Sequence, residues 1–414
     1  MSQPGWETAE LTLLDGESNF DQLQARGVKL PEMPGVVALP MAAEDQLAQL
    51  VKAAFSTPCR DWPNSNVPRF VRQGDVLLWQ GYFVFMPILK ALQKYACLFA
   101  AQAPYLAYLA NKPYLAAQTG GDFWLEASRN DSFGQLQRRS YGAASAILAT
   151  NPWAYSTARR FGFHHVIYAP LMIDTQAYAP GPSAARQAWQ EKVGGDFFAL
   201  ITARIDRRWK ASHIGIEGFL RFAHSHPEAR LVLVGWGEDS SADIEQLKRE
   251  GLEGRLVQLP VSGKRKLVEY LRGADCLIDQ FAIGYYGATA LESMATGLPV
   301  IMNVLSDQYD ALCPTGCPPV LQATTPSDVA SQLERLATNK DQQRHFSAAS
   351  RRWVEQNHSV EVWGETYGAI LNAVASGVHL DFRKSPLASP LSFAEKAYHA
   401  EMLAYAPEFP NYFI

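Results

Sequence analysis

The 414-residue chain is 48% hydrophobic and 19% charged, with a formal net charge of −4. That length admits two ordinary domains with full cores, and the charge excludes a nucleic-acid coat built on bulk basicity. Five cysteines, odd in number and mostly in apolar surroundings, point to a reducing compartment.

Cys313 and Cys317 have no second pair or nearby histidine, so no zinc site is expected there. The N-terminus MSQPGWETAE lacks a basic segment followed by an apolar one. No apolar run reaches the roughly 18–20 residues that cross a bilayer, so a cytoplasmic location is expected.

Residues 1–70 predict the first βα units, with a strand at 36–39 and a helix in EDQLAQLVKAAF. A buried strand follows at 75–79. Residues 83–103 form a strongly apolar helical run that fits a helix packed against a sheet better than one resting on a membrane surface, because only Lys90 and Lys94 are basic. KPYLAA at 112–117 is a strand whose end carries Thr119, Gly120, Gly121 and Asp122. Such an end is where open α/β sheets bind ligands, although Asp122 equally suits the cap of the next helix. Residues 141–150 and 166–172 predict strands on either side of a helix at 153–161. YAPGPS at 178–183 reads as a linker that closes the first domain near residue 177.

Beyond it, strands at 197–202, 230–234, 255–259 and 276–279 alternate with helices at 214–225, 242–250 and 264–272, the signature of a wound parallel sheet. The strand ends carry Arg204, then Gly235 and Gly237, then a loop from Gly284. In the stretch 274–300, a short apolar strand runs into Gly284, Tyr286 and Gly287, and a helix starts at Ala288 and Thr289 and ends at Gly297. A glycine turn at a helix N-terminus offers backbone N–H groups to an anion, with Glu292 one turn in and able to reach a neighbouring hydroxyl. Arg204 and Lys210 at the mouth of a βα loop would neutralise a diphosphate, or they belong to a solvated basic turn. Residues 326–338 and 342–376 predict helices that finish the domain, and the amphipathic segment 392–406 could dock back on the first domain.

Residues 202–300 resemble the retaining GT-B glycosyltransferases of family 4. The resemblance is carried by Arg204 with Lys210, LVLVGWG at 231–237, VEYLRGADCLID and GYYGATALESMATGLPV, with APLMID at 169–174 similar to the turn before the family's interdomain linker. It implies two Rossmann-like α/β domains facing each other across a cleft. Residues 1–177 would bind the acceptor and 178–380 the donor, with 381–414 packing back on the first domain. It also implies that Arg204, Lys210 and the glycine-turn amides hold the donor diphosphate and that Glu292 bonds its ribose.

Two departures stand out. The first glutamate of the family's pair falls at Gly284, and Asp279 or Gln280 is offered as its replacement. The family's sugar-contacting histidine falls at Thr119, with Asp122 three residues on. The implied activity is transfer of a sugar from a nucleotide diphosphate sugar, with retention and without a metal cofactor, to a saccharide, lipid-linked or small-molecule acceptor, as in polysaccharide or glycoconjugate synthesis. A catalytically silent GT-B binding protein and a nucleotide-sugar epimerase are the alternatives. Peripheral membrane association is compatible with the apolar first domain, and no nucleic-acid partner is expected.

Overall fold

The computed structural model describes residues 10–12, 36–38, 92, 94–101, 103–118, 120–128, 132–161, 163–310, 315–380 and 382. The chain divides into two compact units, Met1–Tyr168 with Thr366–Ile414, and Ala169–Glu365. The expected helix in EDQLAQLVKAAF, the strand at 75–79, Cys313 and the amphipathic segment at 392–406 lie outside the described residues.

In the first unit, β1 (Glu10–Thr12) and β2 (Val36–Ala38) pair in parallel. A second parallel sheet takes β3 (Leu98–Ala101), β4 (Tyr114–Ala117), β5 (Ala146–Ala149) and β6 (Val166–Tyr168) in sequence order. Its connections carry α1 (Pro104–Leu109), α2 (Ser132–Ala143) and α3 (Trp153–Arg160). Strands β4 and β5 are buried along their whole length, as expected of strands covered on both faces.

Two sequence expectations change here. The apolar run at 83–103 ends as strand rather than helix, because Leu98–Ala101 pair in register with Tyr114–Ala117 and Pro104 starts a new helix. The strand expected over 141–150 is confined to 146–149. Helix α2 runs on through Ala143 and sets Tyr141 wholly inside, its ring 4.4 Å from that of Phe123. Burial of that large ring outweighs the weak helix propensity of YGA.

The second unit is a six-stranded parallel sheet. Helix α4 (Ala184–Val193) leads to β7 (Phe197–Ile201), α5 (Ser212–Ser225), β8 (Ala229–Val234), α6 (Ser240–Arg249) and β9 (Leu256–Leu259). Then α7 (Lys264–Gly273), β10 (Cys276–Ile278), α8 (Ala288–Ala295) and β11 (Val300–Met302) follow. The unit closes with α9 (Ser306–Asp310), β12 (Leu321–Gln322), α10 (Pro326–Thr338), α11 (Lys340–Asn357) and the start of α12 (Val360–Ala375).

The strand order β12-β11-β10-β7-β8-β9 places the first strand, β7, in the middle. From β7 the chain winds outward in one direction through β8 and β9, then returns to build the other side from β10. The loops leaving β7 and β10 therefore part on opposite faces and open a crevice at their C-terminal ends, the switch point at which doubly wound sheets bind ligands.

Before the YAPGPS linker, residues 169–178 already belong to this unit. Ile173 bridges Ser359, and the Arg351 guanidinium donates to the carbonyls of Thr175 and Tyr178. The same guanidinium donates to the Ala295 carbonyl at 2.6 Å, placing a cation at the C-terminal end of α8, where the helix dipole favours it. The helical stretch expected over 342–376 is split at His358. There the Ile173 N–H takes the His358 carbonyl, and Ser359 caps the next helix through the Val362 N–H.

Helices α5 and α10 pack closely because Gly218 has no side chain. A Cβ there would sit 2.4 Å from Val329 Cβ and 2.9 Å from the Pro326 carbonyl oxygen, beside the buried Phe219 and Leu333. Overpacking of this kind costs about 1–3 kcal/mol. Gly218→Ala is therefore expected to lower the melting temperature by several degrees in calorimetry, and an unchanged value would contradict the packing described.

Candidate active site

The loop after β7 is built by Asp206. Its carboxylate accepts the Trp209 N–H at 2.7 Å, and its carbonyl accepts the N–H groups of Lys210 and Ser212. That turn forces Ala211 into the left-handed region at φ 49°, one of two non-glycine residues with positive φ among those described. The turn sorts the four cations of the loop. Arg207 is tied to Asp243 at 2.5 Å, and Arg208 lies over the Trp209 ring. Arg204 pairs with Asp206 at 2.6 Å and stays 43% exposed, whereas Lys210 points inward. Gly237 makes the approach possible: a Cβ at its φ of +111° would come within 2.3 Å of the Ile205 carbonyl and 2.8 Å of Arg204 Cγ.

Lys210 connects this loop to the one after β10. Its ammonium donates to Gln280 Oε1, and Gln280 Nε2 donates to the Tyr285 carbonyl within the glycine turn. The two partners fix the amide orientation, since an ammonium can only donate and a carbonyl can only accept. Asp279, the neighbouring residue at the strand end, is 6% exposed. Burial raises its carboxyl above the usual range, against the pull of Lys210. Burial likewise lowers the Lys210 ammonium, which Asp279 and Asp206 oppose and Arg204 reinforces. The pair is thus short of charge compensation, and an incoming anion would favour the charged lysine.

Across the crevice, Gly284 holds φ +75° with Leu305 packed where a side chain would go. Gly287 starts α8 with open space around it and no side-chain cap, and no acidic residue occupies the first turn. The N–H groups of Ala288 and Thr289 therefore meet the crevice at a helix N-terminus without a competing carboxylate. One turn on, Glu292 is 4% exposed and ion-paired with Lys264 Nζ at 2.6 Å.

The sequence-predicted residues thus separate by position. Arg204, Lys210, Asp279, Gln280, Gly284, Gly287, Ala288 and Thr289 gather at the ends of β7 and β10, with Glu292 behind them on α8. Gly235 lies on the exposed turn after β8, beside Ser240. Tyr286 turns inward instead. Its hydroxyl meets His358 Nε2 at 2.9 Å and its ring stacks on Tyr309, so only its backbone faces the turn.

In the first unit, Thr119 lies outside the described residues. Gly120, at φ +146°, and Gly121 precede a single π-turn at Asp122–Glu126, and of Asp122 only the backbone is described. Three residues escaped the sequence reading: Asp206, Lys264 and His358. The Arg-x-Asp spacing was the visible signal for Asp206, whereas Lys264 and His358 act through contacts 28 and 72 residues away in sequence.

Comparison with known proteins supplies independent evidence at this point. Residues 185–353 match the family model for glycosyl transferases group 1. The mannosylfructose-phosphate synthase of Agrobacterium fabrum (strain C58 / ATCC 33970) is 25% identical over 187 residues, 42% of this chain and 40% of the relative. The alpha-monoglucosyldiacylglycerol synthase of Acholeplasma laidlawii is 25% identical over 133 residues, 31% and 33% of the two chains. The matched stretch thus spans well under half of either relative.

Among solved structures, Anabaena HepE in complex with UDP and glucose superposes with a TM-score of 0.60 at 15% identity, covering 86% of this chain and 90% of HepE. Sucrose-phosphate synthase from Thermosynechococcus elongatus gives 0.58 at 15% identity, covering 84% and 86%. The two parallel α/β sheets are those of the GT-B fold. Among the described residues, no helix is long and apolar enough to cross a membrane.

His358 locks the back of the glycine turn. Its Nδ1–H donates to the Leu171 carbonyl at 2.8 Å, so Nε2 accepts from Tyr286 and the ring is neutral. Burial lowers its pKa to about 4. A pKa depressed from 6.5 makes the neutral ring a stabilising feature that is complete above pH 6.5 and lost as pH falls toward 4, in total about 3 kcal/mol. Urea denaturation between pH 7 and pH 4 should show this slope in the wild type and a shallower one in His358→Gln. Equal slopes would contradict the buried neutral tautomer.

Proposed function

We propose that this protein is a retaining, metal-independent glycosyltransferase. It moves a sugar from a nucleoside diphosphate sugar to an acceptor hydroxyl in polysaccharide or glycoconjugate synthesis. The observation that carries this reading is the bridge from Lys210 through Gln280 to the Tyr285 carbonyl, which couples a cationic loop to an uncapped helix N-terminus at the switch point of the sheet. The match of residues 185–353 to glycosyl transferases group 1, and the fold shared with a HepE that holds UDP-glucose, support the donor class.

In this mechanism the sugar–phosphate bond breaks with negative charge growing on the departing diphosphate. Lys210 and the N–H groups at the start of α8 are positioned before the reaction, and together with Arg204, turned from Asp206 to the phosphate, they stabilise that charge. With cations and backbone dipoles in this role, a metal is not required for departure. The acceptor hydroxyl attacks from the face the leaving group vacates, giving retention, and the departing phosphate takes its proton. Asp279 is buried at the strand end beside Lys210 and acts by tuning that ammonium. The strand-end segment at 119–122 of the first unit is assigned to the acceptor side, which takes a saccharide, lipid-linked or small-molecule hydroxyl.

The test is a thermal-shift panel of nucleotide sugars, followed by product analysis with the best donor. A saturating donor should raise the melting temperature by a few degrees. Arg204→Ala and Lys210→Ala should each abolish the shift and reduce turnover by about 10²–10³-fold. Variants that bind and turn over like the wild type would refute the site.

A further inference from the structure

Glu292 is 4% exposed, yet only one of its oxygens is engaged. Oε1 takes the Lys264 ammonium at 2.6 Å, and Oε2 is buried without a hydrogen-bond partner. Burial, and after it the charge of the Glu292 carboxylate and a hydrogen bond to it, push the Tyr178 phenol up, while Oε2 itself keeps no hydrogen-bond partner. A buried carboxylate oxygen left without a donor is costly, so Oε2 is available to accept from a bound hydroxyl or a water.

Lys264 is unusual for the opposite reason. It is the first residue of α7, its side chain is 64% exposed, and the loop before it is open, with empty space where a side chain on Gly263 would stand and Val261 56% exposed. An exposed lysine has a great deal of rotamer freedom to lose and gains little from an ordinary surface pair. Here its amine reaches inward from the start of α7 to a carboxylate in the second turn of α8.

We propose that Lys264 is a positioning residue. By occupying Oε1 it fixes the Glu292 carboxylate so that Oε2 accepts a ribose hydroxyl of the bound nucleotide, and it thereby sets the preference for ribonucleotides over deoxyribonucleotides. This rests on the nucleotide-sugar reading of the same site. A site with a buried acceptor rejects an analogue that lacks the matching hydroxyl, because the acceptor then stays unpaired. Freed from Lys264, the carboxylate rotates or takes up water, and the penalty for the missing hydroxyl falls.

The experiment is titration calorimetry of the full chain with uridine diphosphate and its 2′-deoxy and 3′-deoxy counterparts, with the adenosine and guanosine sets and inorganic pyrophosphate alongside. The wild type is expected to prefer the ribonucleotide over at least one deoxy form by about tenfold or more. In Lys264→Met that ratio should shrink to within about threefold, with pyrophosphate affinity changing less than ribonucleotide affinity, and Lys264→Arg should restore it. Glu292→Gln should lose the ratio as well.

A ratio unchanged in Lys264→Met overturns the proposal and leaves the nucleotide-sugar reading standing. So does an equal loss of pyrophosphate and nucleotide binding, which marks a merely structural role. A wild type that binds neither pyrophosphate nor any nucleoside diphosphate overturns both.

Discussion

The second unit depends on a lysine held between two loops. Lys210 leaves the β7 loop, enters a largely buried position and donates to Gln280, which in turn holds the Tyr285 carbonyl of the glycine turn. Moving an ammonium away from water is unfavourable, and a neutral amide with a buried, proton-hungry Asp279 offsets that only in part. The fold tolerates this because the surroundings are over-determined. Asp206 shapes the loop, the Lys210 carbonyl accepts the Phe281 N–H at 2.9 Å, and the ends of β7 and β10 are adjacent strands of one ladder. The position of the lysine is therefore set before any ligand arrives, which is the condition for electrostatic stabilisation without reorganisation.

The same logic extends to the back of the turn. Tyr286 is pinned by His358, and His358 by the Leu171 carbonyl, while Ile173 bridges Ser359. Segments at 169–178 and 358–362 thus brace the strand-to-helix turn of α8 from behind, and Arg351 braces the far end of that helix. The polar groups are spent on rigidity at the rear, leaving the N–H groups of Ala288 and Thr289 for the front. Glu292 shares both functions, since one oxygen is held by Lys264 and the other is left over.

Much of this was legible in the sequence. Alternating apolar strands and amphipathic helices from residue 197 specify a wound parallel sheet, and the glycines at 284 and 237 sit where positive φ and close packing require them. Less visible were features decided by tertiary contact. Gln280 reads as a replacement for a missing carboxylate, but the fold uses both ends of its amide as a strut. Tyr286 reads as a loop residue near a ligand, but its ring belongs to an aromatic cluster with Tyr309, Trp353 and His358. The helix break at His358 carried only a weak serine-cap signal, because its cause is the distant strand-like residue Ile173. In the apolar run ending at Ala103, a continuous hydrophobic pattern could not distinguish helix from buried strand, and the pairing of Leu98–Ala101 with β4 decided it.

The most direct measurement of the central claim is a crystal structure of the protein with a nucleoside diphosphate bound. The account predicts phosphate oxygens within hydrogen-bond distance of Arg204, Lys210 and the N–H groups of Ala288 or Thr289, with the Lys210–Gln280 contact kept or replaced by phosphate. A diphosphate bound elsewhere, with Arg204 still closed on Asp206 and the start of α8 facing only water, would contradict it.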